Sequence, residues 1–302
     1  MPIVKTDVPI TSQLNTNYVR QLSENYPFLR VRTLGTTAFQ RPIPLLTLGN
    51  GPRRVILSAS HHANEWITSL LLLKFAEDLA EAIAREDTDA LSLQAAATVY
   101  MVPMVDPDGV DLVVGAIQPG NIQYDLAQRL AQDYPSIPFP AGWKANLLGV
   151  DLNLNYPAKW LLAREIKFGQ GFVSPGPRDY VGRSPLNQLE TQALANFTRE
   201  ADPALVLALH AQGEEIYWTF HDIFVPGAEA LGREMANVSG YTLATPPVNS
   251  SYAGYKDWFI QEFRRPGYTV EVGSGVNPLP ITQFDSIYQA VAPLLKVAVL
   301  GG

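Results

Sequence analysis

The stretch that most restricts the fold runs over residues 53–85. An apolar run, Val55-Ile56-Leu57, reads as a strand, and residues 70–84 carry a long apolar helical pattern. Between them lies Ser58-Ala59-Ser60-His61-His62-Ala63-Asn64-Glu65-Trp66. A buried strand that hands over to a long apolar helix belongs in a layered α/β arrangement. At that handover His62 and Glu65 can aim an imidazole and a carboxylate at one point. Two imidazoles and a carboxylate, with a fourth position left for water, make a catalytic zinc site. The rest of the chain must supply the second imidazole and a base.

Strand patterns recur at residues 31–34, 43–48, 53–60, 98–105, 205–209 and 268–272. Helical patterns cover 16–26, 66–85, 124–134, 186–200, 228–239, 254–264 and 282–299, with Ser184-Pro185 as the expected start of the fourth. Asp106-Pro107-Asp108-Gly109 reads as a turn ending the 98–105 strand. Residues 149–179 read mostly as loop, and a long irregular span inside a compact domain usually carries function. This alternation predicts an α/β fold over residues 1–302, one domain with a mixed, mainly parallel sheet flanked by helices. In such sheets functional groups gather beyond the carboxyl ends of strands. His62 and Glu65 lie just past one expected strand end, His210 just past another, and Glu271 near a third.

Composition narrows the chemistry. There is no Cys, so disulfides, thiolate ligands and a Cys nucleophile are excluded, and any imidazole ligand comes from His61, His62, His210 or His221. A net charge of -7 argues against a nucleic-acid partner or an anionic membrane surface. No apolar run reaches the roughly 18 residues a membrane span requires, and residues 1–12 lack the apolar core of a signal peptide. The expected location is cytoplasmic, with no membrane partner.

The flanks of the candidate ligands form a longer pattern. In order come His62-Ala63-Asn64-Glu65-Trp66, Asp106-Pro107-Asp108-Gly109, Trp143-Lys144-Ala145-Asn146 and Gly149-Val150-Asp151-Leu152-Asn153. Then follow Leu209-His210-Ala211-Gln212-Gly213, Gly254-Tyr255-Lys256-Asp257-Trp258 and Tyr268-Thr269-Val270-Glu271-Val272-Gly273. This series resembles the zinc carboxypeptidase family, and within it the bacterial γ-D-glutamyl-diaminopimelate peptidases. The resemblance implies one zinc ion held by His62, Glu65 and His210. It implies that Glu271 is the base that takes a proton from zinc-bound water and returns it to the leaving amine. Asp151 would orient a ligating His through its other ring nitrogen. Lys144 stands where the family usually has an oxyanion-stabilising Arg; a Lys supplies the charge but not the planar two-pronged contact. His61 falls at a variable position and receives no role.

Two departures bear on the substrate. Family members that trim ordinary C-termini grip the terminal carboxylate with an Asn-Arg pair, and here the matching residues are Asn153-Leu154. Leu cannot supply that charge-assisted contact, so a free α-carboxylate is not required at that point. The position facing the side chain of the residue after the cut is Lys256, suited to a side chain that ends in a negative group, as meso-diaminopimelate does. The family's mobile tyrosine aligns strictly with Asn249, with Tyr252 and Tyr255 nearby; Tyr252 is carried as the substrate-binding candidate and Tyr255 equally as a packing residue. The expected activity is therefore a zinc metallopeptidase cutting the γ-D-glutamyl–meso-diaminopimelate bond of murein peptides. A zinc deacylase of N-acyl amino acids, like aspartoacylase or succinylglutamate desuccinylase, also begins with the pattern of His62-Ala63-Asn64-Glu65, but residues 254–258 and 273–280 look more like the peptidases. A non-catalytic binding protein would have lost a ligand or the base, and this chain retains all four.

Overall fold

The computed structural model describes residues 2–301. Its centre is four parallel strands: β3 (Arg53–Ala59) lies between β4 (Ala97–Val102) and β5 (Leu205–His210), and β8 (Gly267–Glu271) follows β5. The strands alternate between two cores. Val55 and Leu57 face one cluster and Ile56 the other; Leu205, Leu207 and Leu209 face the first, Val206 and Ala208 the second. A strand buried on both faces reads as an unbroken apolar run, which is why these segments stand out in sequence.

Antiparallel pairs flank this centre. On one side β1 (Arg30–Thr36) and β2 (Pro42–Leu48) form a hairpin against β4; on the other β6 (Glu215–Tyr217) runs antiparallel to β8 and carries β7 (Thr242–Ala244). The order is β1-β2-β4-β3-β5-β8-β6-β7, with four parallel and three antiparallel pairings. The sheet is thus mixed and mainly parallel, as expected.

The first core holds α1 (Ser12–Asn25), α2 (Ile67–Ala84), α3 (Thr88–Ala96), α8 (Ala228–Ser239) and α10 (Phe284–Leu300) against one face. On the opposite face pack α7 (Leu189–Ala201) and α9 (Tyr255–Phe263). Shorter helices, α4 (Pro107–Val113), α5 (Ile122–Ala131) and α6 (Trp160–Gly169), interrupt the long connections. Among the described residues no helix is long and apolar enough to cross a membrane.

Several local expectations need correction. Asp106-Pro107-Asp108-Gly109 is the start of α4: the Asp106 side chain accepts from Gly109 N, with Pro107 in the first turn, a helix N-cap. The helix expected from Ser184-Pro185 begins only at Leu189, because Asn155 holds the preceding loop, donating to Ser184 O and accepting from Asn187 N. The span 149–179 contains α6. The strand expected over 98–105 ends at Val102, and the helix α3, capped by Asp87, has no clear apolar stripe to announce it.

Candidate active site

The sheet order places the chemistry in a row. Beyond β3, Ser60 turns in a left-handed conformation (φ 47°); its N–H donates to Thr68 Oγ1 at 2.9 Å, and its hydroxyl lies 2.7 Å from Ser69 Oγ. These contacts tie the strand end to the first turn of α2, and the turn Ala63–Glu65 carries Glu65 opposite His62. His210 is the last residue of β5 and Glu271 the last of β8, and the two are register partners. On the far side of Glu271, Glu215 of β6 is its antiparallel partner.

Three acceptor groups converge here. Glu65 Oε1 lies 2.8 Å from His62 Nδ1, Glu65 Oε2 lies 2.9 Å from His210 Nδ1, and the two Nδ1 atoms are 3.1 Å apart. All three residues are buried and offer ligand atoms within 4.8 Å of one another. Asp151 Oδ1 sits 3.1 Å from His62 Nε2, a partner that holds a proton on Nε2 and would leave the Nδ1 lone pair for a cation bound beside Glu65. A shared proton can satisfy one contact in such a set, whereas a divalent cation satisfies all three. The donor types and their convergence therefore fit a His₂Glu zinc site.

The charges are strongly perturbed. Burial opposes ionisation of His62, but Glu65 and Asp151 outweigh it and raise the imidazole to about 9. Glu65 is held well below the usual carboxylate range by His62, Lys144 and His210, against its burial. Burial, then the Glu65 carboxylate, pushes Glu271 up to about 8. A dication at the neighbouring ligands would pull Glu271 down again.

Lys144 reaches this set through the irregular segment before α6. Its carbonyl accepts from Ala63 N at 3.0 Å, its N–H donates to Pro177 O at 2.7 Å, and Nζ lies 3.5 Å from Glu65 Oε1. The neighbouring loops pass closely: a Cβ on Gly149 (φ 73°) would lie 2.6 Å from Gly176 N. That approach brings residues 176–179 against the site. A cavity of about 780 Å³ opens over the set, lined by His62, Lys144, Asp151 and Glu271 and extending to Leu154 and Lys256.

A family model described as zinc carboxypeptidase matches residues 15–291. The chain belongs to the zinc carboxypeptidase family. It is a metallopeptidase of that family, and its cofactor is zinc. This zinc carboxypeptidase is 45% identical over 279 residues to γ-D-glutamyl-L-diamino acid endopeptidase 1 of Lysinibacillus sphaericus, covering 90% of this chain and 68% of that protein. It is 36% identical over 283 residues to the uncharacterized protein YqgT of Bacillus subtilis (strain 168), covering 92% and 73%. Bovine thrombin-activatable fibrinolysis inhibitor has the same fold, with a TM-score of 0.72 at 18% identity over 98% of this chain and 97% of that one. So does the murein-tripeptide amidase MpaA of Escherichia coli O157, with a TM-score of 0.55 at 19% identity over 88% and 91%.

The residues expected to meet substrate are placed in part differently from expectation. Asn153 lines the cavity, and its Oδ1 accepts from Tyr255 N at the start of α9. Leu154 also faces the cavity, backed by Trp160 and Ala253. Lys256 is neither a free cation nor a solvated helix residue: it is buried, and Nζ donates to Thr219 O at 2.6 Å and to Asp257 Oδ1 at 2.5 Å. Tyr252 is not among the residues lining the cavity; it packs edge-on to Phe220, with ring centroids 6.5 Å apart. Tyr255 is fully buried, its hydroxyl 2.8 Å from Thr198 Oγ1, a packing position. The side chain of Asn249 lies outside the described residues. His61, left without a role in sequence, is buried and stacked on both His210 and Tyr255, each 5.5 Å between centroids.

Other lining residues escaped sequence reasoning. Tyr217 reaches the cavity from β6 and donates to Glu215; a three-residue edge strand leaves no periodic signal. Lys167, Arg178 and Asp179 also line the cavity. Their signal was the charged Gly176-Pro177-Arg178-Asp179 segment within a span already marked as irregular.

Proposed function

We propose that this chain hydrolyses the γ-D-glutamyl bond to meso-diaminopimelate in murein peptides, with His62, Glu65 and His210 as the zinc ligands and Glu271 as the base. The observation that carries the reading is the 45% identity, over 90% of the chain, with an endopeptidase named for γ-D-glutamyl-L-diamino acid cleavage. Leu154 supports it, since a leucine at that point of the cavity wall supplies no charge-assisted contact for an ordinary C-terminal carboxylate.

Zinc at these ligands supplies a Lewis acid and makes water nucleophilic near neutral pH. Asp151 keeps the His62 tautomer that leaves Nδ1 unprotonated. Glu271 accepts a proton from the attacking water. The water oxygen bonds to the carbonyl carbon of the glutamyl γ-carboxyl group, the C–N bond breaks, and Glu271 delivers the proton to the leaving amine. Lys144 offers its ammonium to the oxygen that gains charge along the way.

On the leaving side, Lys256 and Asp257 both line the cavity as a pair of opposite charges. The far end of meso-diaminopimelate carries an ammonium and a carboxylate, and such a pair complements both. This replaces the simpler expectation of a lone Lys256 cation. The deciding experiment incubates the zinc enzyme with L-Ala-γ-D-Glu-meso-diaminopimelate, N-acetyl-aspartate and succinyl-glutamate, with and without a chelator, and identifies products by mass. Release of free meso-diaminopimelate and L-Ala-D-Glu, abolished by chelation, is the expected result. Turnover of the acyl amino acids alone, or of none of the three, would overturn the reading.

A further inference from the structure

The cavity over the metal ligands is continued by a second one of about 520 Å³, closed on one side by the stacked rings of Tyr134 and Phe172. Lys167, Arg178 and Asp179 line both. Asn153, Leu154 and Lys256 line only the first. The second cavity therefore extends the site along a wall that Asn153, Leu154 and Lys256 do not share, and with the leaving amino acid at Lys256 this extension is assigned to the acyl group.

That shared wall carries a surplus of positive charge. Lys167 Nζ donates to Asp179 Oδ1 at 2.6 Å, and Arg178 Nε donates to Asp179 Oδ2 at 2.5 Å. Two cations thus rest on one carboxylate. The nearby Asp151 is engaged by His62 and by the Asp179 N–H. Among the described residues neither terminal nitrogen of Arg178 has an acceptor, and its side chain is 41% exposed. Lys167 is almost covered, with 10% of its side chain exposed, so Arg178 is the member of the group presented to a ligand.

The substrate chemistry matches this wall. A glutamyl residue linked through its γ-carboxyl group keeps its α-carboxylate free, and that charge sits on the acyl side of the bond cut. A guanidinium with two open nitrogens is suited to a carboxylate. We propose that Arg178 is the specificity-determining residue of the acyl side, receiving the free α-carboxylate of the γ-glutamyl residue while Asp179 and Lys167 hold its guanidinium in place. The proposal rests on the γ-glutamyl reading above and extends it to the other half of the substrate. It makes the enzyme discriminate against stem peptides whose α-carboxyl is amidated.

The test compares kcat/KM for L-Ala-γ-D-Glu-meso-diaminopimelate with that for the same peptide carrying D-isoglutamine, in wild type, R178Q and R178K. Inhibition by the acyl products L-Ala-D-Glu and L-Ala-D-isoglutamine gives a binding readout beside turnover. Wild type should prefer the free acid by about 10- to 100-fold, the worth of a charge-assisted contact. R178Q should reduce the acid-to-amide ratio at least tenfold in both readouts, and R178K should restore part of it. Wild-type turnover of the tripeptide with a ratio unchanged in R178Q would overturn this proposal and leave the γ-glutamyl reading standing. Absence of wild-type turnover on either peptide would overturn both.

Discussion

His210 and Glu271 stand directly opposite one another as the last residues of neighbouring parallel strands, and Val272 N donates to His210 O at 2.8 Å just beyond them. A proposed ligand and a proposed base placed by one strand register cannot drift apart without breaking the sheet. Glu271→Gln should therefore leave the metal ligands in position while removing the proton acceptor. The expected loss in kcat is about 10²- to 10⁴-fold with unchanged zinc content. Kinetics paired with metal analysis check it, and near-normal turnover of the zinc-loaded variant would remove Glu271 from its role.

Zinc should stabilise the fold as well as serve the reaction, because without a cation the acceptors of His62, Glu65 and His210 face one another in a buried site. Zinc at about 1,000 times its dissociation constant would add about 4 kcal/mol. Chelation should lower the melting temperature and zinc should restore it. Asp151→Asn should weaken zinc about 10- to 100-fold by releasing the His62 tautomer, as competition with a chromogenic chelator would measure. Equal affinity in wild type and variant would count against this role for Asp151.

Lys256 and Asp257 are each 5% exposed in their side chains, and Asp257 also accepts from Gly254 N at the start of α9. Lys256→Met leaves a buried carboxylate without its cation and should cost about 3–5 kcal/mol of stability. It should also shrink the preference for meso-diaminopimelate over L-Lys in otherwise identical tripeptides. Urea denaturation and paired kcat/KM values separate the two effects. A preference that survives intact would exclude Lys256 from substrate selection.

A buried carboxyl away from the reaction predicts a pH dependence of folding. Glu190 lies beside Asn146, whose Nδ2 donates to it at 3.3 Å; burial, with Asp108 adding, pushes its carboxyl up to about 7. An acid whose folded pKa is raised is stabilising while protonated in both states. That contribution is present below the unfolded value of about 4.3 and is lost as pH rises through the folded value. Between pH 5 and 7.5 wild-type stability should fall by up to about 3 kcal/mol from this group, and Glu190→Gln should flatten that slope. Denaturation curves across the range check it; a slope that Gln leaves unchanged would assign it elsewhere.

Legibility followed the range of the interactions involved. The convergence of His62, Glu65, His210 and Glu271 could be read because each ends or follows an apolar strand run, and strand ends in a parallel sheet lie along one edge. Leu154 could be read because it breaks a local pair of residues. Tyr252 could not: nearness in sequence to the expected position did not fix which way its ring points, and it packs toward Phe220.

The sequence by itself determined the α/β architecture, the family and the candidate metal ligands, because periodicity and residue type along short segments settle those. Tertiary structure decided where the charges around them go. Lys256 meets Asp257 and Thr219, Arg178 shares Asp179 with Lys167, and His61 stacks between His210 and Tyr255. These arrangements arise where loops from distant parts of the chain meet over the sheet, and whether a cation faces substrate or a neighbouring carboxylate depends on which side chains that meeting buries.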